Sequence, residues 1–416
     1  MGPGDIRELL RFRTPARTRT ARRLQRCVTI EDLRREASRR WPRGVRGYVD
    51  GGADGEVSLD RNTAAFQNFD LVPAALRDVS IVDTTCDLLG FSSAAPLALA
   101  PTGYTRMMHP DGERAAALAA RDAGLPYALS TMATTRLEDV AADVGGELWF
   151  QLYVWRDRGL TRDLLDRASA AGYRALIVCV DTPVVGLRVR DAHNGFTLPP
   201  RLTPGGLLDM AMHPEWCLGL LRGAPITFAN FVDGVSNRSE SVMEFAARQF
   251  DASVTWDDLH WIRDRWRGPL LIKGVLDADD AARAVDVGAN GIVLSNHGGR
   301  QLDQAIPPID VLPSVRDRVG DHVQLLIDSG VRRGTDIAIA LASGADGCLI
   351  GRPYLYGLGT AGAAGASAAI DMLVSELRRA MCLMGAADLP ALKSGGQTFV
   401  RKRLAASNHH YGRTPI

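Results

Sequence analysis

A short apolar run, a polar residue at its end and then an amphipathic helix recur eight times between Pro96 and Arg352. The runs are Pro96–Ala100, Leu125–Leu129, Leu148–Leu152, Arg174–Val180, Pro269–Ile272, Gly291–Leu294, Val323–Ile327 and Gly347–Ile350. Each is short and apolar throughout, as a parallel strand covered on both faces must be. Helical segments lie between them at Asp111–Ala123, Leu160–Ala171, Trp256–Trp266, Ala278–Val287 and Gly334–Ala342, and Gly124, Gly172, Gly288 and Gly344 stand where helices stop. Eight strand-then-helix units without reversal predict an α/β fold, a single closed (β/α)8 TIM barrel. An open dinucleotide-binding sheet would want GxGxxG after its first strand, and the sequence has none there.

Barrel active sites sit where the strands end. Those ends carry Pro101-Thr102-Gly103, Ser130, Gln151 with Tyr153, Asp181, Lys273, Ser295-Asn296-His297, Asp328 and Gly351-Arg352. One such residue could be a satisfied core polar group; a ring of them on one rim points to a site. The rhythm breaks once, after the fourth strand, where about 70 residues separate Asp181 from the helix at Trp256. Loops of that length are usually functional. Leu207–Leu221 within it reads as a weakly amphipathic helix, expected as a lid or intersubunit element, with membrane contact as the alternative.

A formal charge of +1 excludes nucleic-acid binding by bulk electrostatics. The charge is unevenly spread: eight arginines against Glu8 lie between Arg7 and Arg26. Such an arm is expected in solvent or over an acidic face, or else on an anionic membrane or a subunit contact. The six cysteines are scattered without a CxxC pair, as in a reducing cytoplasm, and no zinc site is expected. No run approaches the length of a membrane span, so the expected location is the cytoplasm, with peripheral contact at the inner membrane surface. The expected organisation is a basic arm over 1–27, a barrel over 28–400 and a tail over 401–416.

Two segments carry the chemistry. Ser295-Asn296-His297-Gly298-Gly299-Arg300-Gln301-Leu302-Asp303 follows the sixth strand. Its histidine titrates near neutrality and suits a general base, and Arg300 offers a planar fork for a carboxylate. Together they suggest removal of hydrogen beside a carboxylate. Asp328-Ser329-Gly330-Val331-Arg332 and Gly351-Arg352 follow strands seven and eight, where barrels commonly hold phosphate. Lys273, inside an apolar run, needs an anionic partner to be buried.

These segments resemble the FMN-dependent 2-hydroxy acid oxidases and dehydrogenases, the family of glycolate oxidase, lactate oxidase, flavocytochrome b2 and mandelate dehydrogenase. The likeness runs from about Val28 to the last helix. Within the family, the APTG, FQLYVWRDR and RLTP…HPEW segments look most like bacterial respiratory L-lactate dehydrogenases. The resemblance implies FMN as cofactor and oxidation of a small L-2-hydroxy acid, L-lactate first, to the 2-oxo acid. It implies His297 as base, Asp181 as the carboxylate that steadies its protonated form, and Tyr153 at the substrate hydroxyl. Tyr48, Arg188 and Arg300 would bind the substrate carboxylate. Pro101, Thr102, Gly103, Ser130, Gln151, Cys179, Lys273 and Ser295 would surround the flavin ring. Asp328 would bind the ribityl chain, and Gly330, Arg332, Gly351 and Arg352 the phosphate. A homotetramer or larger assembly is implied as well.

Cys179 departs from the pattern, since many relatives have threonine there; one hydrogen bond to the flavin would be lost. Met132 stands at a pocket position that is often aromatic, which leaves larger acids such as mandelate as an alternative. The acceptor is expected to be a quinone or cytochrome, or else dioxygen. A different reaction on a flavin or nucleotide barrel, and an inert flavin-binding protein, are the rivals from other classes.

Overall fold

The computed structural model describes residues 18–195, 204–231 and 248–403. Eight parallel strands close into the expected barrel: β1 (Leu97–Leu99), β2 (Tyr127–Ser130), β3 (Leu148–Tyr153), β4 (Ala175–Cys179), β5 (Leu270–Val275), β6 (Gly291–Leu294), β7 (Gln324–Ile327) and β8 (Gly347–Ile350). β8 returns to β1, with Cys348–Ile350 in register against Leu97–Leu99. The surrounding helices are α1 (Gly112–Asp122), α2 (Leu137–Asp143), α3 (Arg158–Ala170), α4 (Trp256–Arg265), α5 (Ala278–Asp286), α6 (Pro308–Val319), α7 (Gly334–Ala342) and α8 (Arg352–Met384).

Alternation along each strand divides the core in two. Ala98, Ala128, Trp149, Ile177, Leu271, Val293, Leu326 and Leu349 fill the barrel interior, while their neighbours face the helices. Trp149 is fully buried there because its indole N–H finds Glu147 Oε1 at 3.0 Å. A hairpin, Cys86–Leu88 paired with Phe91–Ser93, pushes Leu88 into the same interior, and the Leu89 N–H donates to Gln324 Oε1 at 3.0 Å. The barrel is thus plugged at its N-terminal end, and a ligand has room only at the other.

Three local readings of the sequence are corrected. The fifth strand does not end at Lys273: a bulge between Lys273 and Val275 carries it on, since Gly274 lies against Asp181. The expected helix Leu207–Leu221 is two helices, Pro204–Ala211 and Pro214–Arg222, because Pro214 cannot donate within a continuous helix and starts a new one. Hydropathy alone also missed that α8 is long and apolar enough to cross a membrane; its Tyr354, Leu358, Ala366, Leu373 and Leu377 are buried against Ile30–Ser38, α1 and α7. Of the basic arm, Arg7 to Arg17 lie outside the described residues. Arg19–Leu24 is a helix capped by Thr18, and Arg23 pairs with Glu215 at 3.1 Å.

α8 bends at Ala361 and Gly362, and the bend brings Gly357 and Gly365 backbone to backbone. A Cβ on Gly365 would lie 1.9 Å from the Gly357 carbonyl oxygen. G365A is therefore expected to cost about 1–3 kcal/mol or more, read as a lowered Tm with FMN bound.

Candidate active site

All the residues expected from the sequence to bind substrate or cofactor or to act on them line one cavity of about 290 Å³ at the C-terminal end of the strands, except Asp181 and Ser295, which stand directly behind its wall. Ser295 accepts from Lys273 Nζ at 2.8 Å, and Asp181 Oδ1 meets His297 Nδ1 at 3.0 Å.

The cavity's histidine is held in an uncommon backbone state. His297 has φ +58°, a left-handed conformation that a non-glycine residue keeps only when its surroundings impose it. Its own N–H donates to Ser295 Oγ at 2.9 Å, and the next two N–H groups go to Ser329 Oγ at 2.9 Å and Asn296 Oδ1 at 3.0 Å. The ring then points one nitrogen at Asp181 and leaves the other for the cavity. Burial works against a charge on Asp181, but His297 and Lys273 outweigh it and hold the carboxyl below its ordinary range. Asp181 is thus held as an anion beside the His297 ring. Gln301 ties the two partners' loops together, donating from Nε2 to the Asp181 carbonyl at 3.0 Å and to that of Val184 at 2.9 Å.

Opposite the histidine, two guanidinium groups converge on Tyr48. Arg300 Cζ lies 4.7 Å and Arg188 Cζ 5.9 Å from the centre of its ring. Arg300 Nη1 donates to the carbonyls of Tyr48 at 2.6 Å and Gly51 at 3.0 Å, which fixes its fork. Burial, and then Arg188, push the Arg300 pKa down to about 9. It remains charged at neutrality, and a buried cation beside another cation is a site for an anion. Tyr153, at the end of β3, packs on Trp155 and Phe250 at the edge of this space.

The cavity floor fits a flavin ring. Lys273 is 4% exposed and pairs with Asp328 Oδ2 at 3.1 Å. Burial opposes its charge, yet Asp328 and Asp181 raise its pKa above the ordinary lysine value, so it is a fixed cation. Gln151 and Ser130, neighbours on β3 and β2, share a hydrogen bond of 3.1 Å that leaves Gln151 Nε2 buried with no protein acceptor. Such a donor suits a ring carbonyl. Thr102 hydrogen-bonds Tyr354, and Gly103 presses its backbone against Met132. Burial pushes the Cys179 thiol up, with Lys273 opposing, so it lines the floor as a neutral group.

The far end fits a phosphate. Gly330 has φ +106°, and a Cβ there would lie 2.1 Å from the Asn62 carbonyl oxygen. Only glycine lets the loop run so close to the helix Val57–Phe66. Arg332 lines this end, while Arg352 commits its guanidinium to the carbonyls of Val49, Gly51 and Gly298 at 2.8, 2.8 and 3.0 Å. The first turn of α8 opens beside Gly351, with N–H groups free of helix partners.

Sequence reasoning gave Ser329 and Gln301 no role of their own, although both stand in the two motif segments, and it missed Asn62 and Asp336 altogether. Asp336, in the first turn of α7, was legible in principle as an acidic residue three positions after a helix start. Its Oδ2 accepts the N–H of Arg332 at 2.8 Å and of Arg333 at 2.9 Å, which folds the phosphate-end loop. Burial pushes its pKa up to about 6, against those bonds and the two arginine charges. A carboxyl whose folded pKa is raised loses stability as pH climbs from its unfolded value, near 3.9, to 6, and the loss is then constant. In D336N one amide oxygen can accept both N–H groups without a charge. That apoprotein is expected to be on the order of 2–3 kcal/mol more stable at pH 7.5, the advantage vanishing near pH 4, as urea unfolding across that range would show.

Comparison with known proteins agrees with this geometry. The chain matches the family model described as FMN-dependent dehydrogenase over residues 37–398. It is 44% identical to an L-lactate dehydrogenase of Caulobacter vibrioides, over 87% of this chain and 95% of that protein. With an L-lactate dehydrogenase of Pectobacterium atrosepticum the identity is 41%, covering 89% and 97%. Among solved structures, the monotopic membrane protein (S)-mandelate dehydrogenase superposes with a TM-score of 0.85 at 38% identity, covering 90% of this chain and 99% of that one. A mandelate oxidase gives 0.77 at 37%, covering 92% and 100%. With the barrel, the cavity and a match across nearly its whole length, the chain belongs to the FMN-dependent dehydrogenase family and is an FMN-dependent 2-hydroxy acid oxidoreductase.

Proposed function

We propose that the enzyme oxidises L-lactate to the 2-oxo acid and passes the electrons to a membrane quinone or a cytochrome. The observation that carries this reading is the His297–Asp181 pair at 3.0 Å, facing the Arg188–Arg300 fork across one cavity. Tyr48 and the two arginines hold the substrate carboxylate, which turns the hydroxyl-bearing carbon towards His297. Tyr153 bonds the hydroxyl. Of the two hydrogens the substrate loses, His297 takes one as a proton at Nε2, and the anionic Asp181 stabilises the imidazolium that results. Bound FMN would supply the acceptor for the two electrons and the remaining hydrogen, and Lys273 would offer it fixed positive charge. Ser130, Gln151 and Ser295 hold the ring, Asp328 the ribityl chain, and Gly330, Arg332, Gly351 and Arg352 the phosphate.

Lactate is favoured by the relatives named L-lactate dehydrogenase at 41–44% identity. The structural neighbours named for mandelate support a larger acid as the second reading. Anaerobic mixing with excess L-lactate is expected to bleach the flavin at once, with slow return of colour in air and fast return on adding a soluble quinone. Bleaching by (S)-mandelate but not L-lactate would replace the substrate; fast return in air would replace the acceptor with dioxygen.

The long excursion after β4 supports a membrane-proximal acceptor. Its two helices are anchored inwards: Asp209 accepts the Arg43 N–H at 2.7 Å, Glu215 holds both Arg23 and Arg40, and Trp216 donates to the Met107 carbonyl at 2.7 Å. Outwards they present Leu207, Leu208, Met212, Leu218 and Leu221, 48–79% exposed. An apolar face beside an arginine-rich helix suits peripheral insertion into anionic bilayers. A homotetramer belongs to the same proposal. L208S/L221S is expected to abolish co-flotation with anionic vesicles while leaving lactate-driven bleaching intact; unchanged flotation would remove these helices from the membrane contact.

A further inference from the structure

Two buried amides face each other between the helix Val57–Phe66 and the catalytic loop. Asn62 Nδ2 donates to Asn296 Oδ1 at 2.8 Å, and Asn296 Nδ2 donates to Asn62 Oδ1 at 2.6 Å. They are 2% and 4% exposed, so water cannot substitute for either bond. Asn296 completes its bonding with the Gly299 N–H at 3.0 Å and the Ile306 carbonyl at 3.3 Å. Its amide therefore spans both ends of the turn that contains His297, Gly298, Gly299 and Arg300.

That turn is where the strain lies. His297 and Ser329 both have positive φ, at +58° and +66°, and Ser329 Oγ joins the Gly298 N–H to Asp328 Oδ1 at 2.9 and 2.7 Å. A non-glycine residue in the left-handed region costs on the order of 1–3 kcal/mol and persists only where its surroundings over-determine it. Ser295 and Ser329 restrain the turn from within the barrel loops. The Asn62–Asn296 pair is a side-chain restraint that arrives from outside the barrel, on the helix that follows Tyr48, beside the Ala53 N–H that donates to the Gly299 carbonyl at 2.8 Å. The same helix sets its Asn62 carbonyl against Gly330, at the phosphate end.

We infer that Asn62 is a positioning residue for the reaction: through Asn296 it holds His297 in its strained, Asp181-facing state, without touching substrate or flavin. The inference rests on the reading of His297 as the base. An amide pair suits the role because each partner is donor and acceptor at once. A hydrophobic pair of equal volume would fill the space but leave the Ile306 carbonyl without its amide donor and the Gly299 N–H with the Asn296 backbone carbonyl alone.

The test is anaerobic stopped-flow reduction of the FMN-bound enzyme by the 2-hydroxy acid found active, in N62A, N296A, N62A/N296A, H297Q and S58A. Ser58 is a fitting control, since it sits on the same helix and bonds the carbonyls of Leu302 and Ala305, beyond the turn. In N62A, flavin absorbance and the affinity for oxalate, a dianion with no hydrogen to give up, are expected to stay within about 3-fold. The limiting reduction rate should fall on the order of 10- to 100-fold, the usual effect of a misplaced catalytic group. The double variant should be no slower than the slower single one. Should N62A fold poorly, N62D keeps an acceptor for the Asn296 amide and sets a carboxylate oxygen against Asn296 Oδ1 where the donor stood, and its reduction rate should still fall, by roughly 3- to 10-fold. A reduction rate within 3-fold of wild type in both Asn62 variants, an equal loss in S58A, an equal loss of oxalate affinity, or multiplying losses in the double variant would each overturn the proposal. An unimpaired H297Q would overturn the assignment of the base and this proposal with it; an inactive H297Q beside a normal N62A would overturn the proposal alone.

Discussion

A lysine ammonium 4% exposed within β5, just before its bulge, is the constraint around which the site is built. An unpaired charge in that position would be intolerable, so Asp328 from the end of β7 and Ser295 from the end of β6 must reach it. Those two contacts fix the spacing of three strand ends. Ser295 then accepts the His297 N–H, and Asp328 takes a hydrogen bond from Ser329, which in turn receives the Gly298 N–H. The turn bearing the histidine is thus assembled from the partners of a buried cation. Removing the ammonium would leave Asp328 uncompensated and cost about 3–5 kcal/mol.

The barrel was legible because parallel strands covered on both faces must read as uninterrupted apolar runs, and eight of them did. The rim was legible for a related reason: a polar residue at the end of such a run has nowhere to go but the mouth. The structure brings Asp181 to His297, and Arg188 and Arg300 to Tyr48, residues that the family resemblance had named together. What stayed hidden is the second layer. Asn62 lies on a helix outside the repeat, 234 residues from Asn296, and one asparagine among solvent-facing neighbours carries no signal of a distant partner. The bulge at Gly274 was hidden too, since its cause is the approach of Asp181 from another strand. Pro214, by contrast, was an available break signal, outweighed by the apolar periodicity around it.

The segments outside the repeat do more than decorate the barrel. The stretch from Ile30 to Phe66 supplies Tyr48, the carbonyls that orient Arg300 and Arg352, and the helix beneath Gly330. It is also what the helices after β4 grip through Asp209 and Glu215. The apolar outer face, the Arg188–Arg300 pair and the Gly330–Arg332 end of the cavity are therefore connected through one short piece of chain that contributes no strand to the barrel.

The closure of β8 onto β1 has a consequence for the life of the nascent chain. β1 is synthesised some 250 residues before the strand that completes it, and its outer edge offers unpaired N–H and C=O groups throughout. At about 5–20 residues per second, that edge stays open for roughly 10–50 s on the ribosome. The hairpin carrying Leu88 precedes β1 and packs into the same end of the barrel, against Gly347 of β8. Until β8 emerges, this plug too lacks its last wall, so a ribosome that stalls before Gly347 leaves an open sheet and a homeless leucine for chaperones to cover.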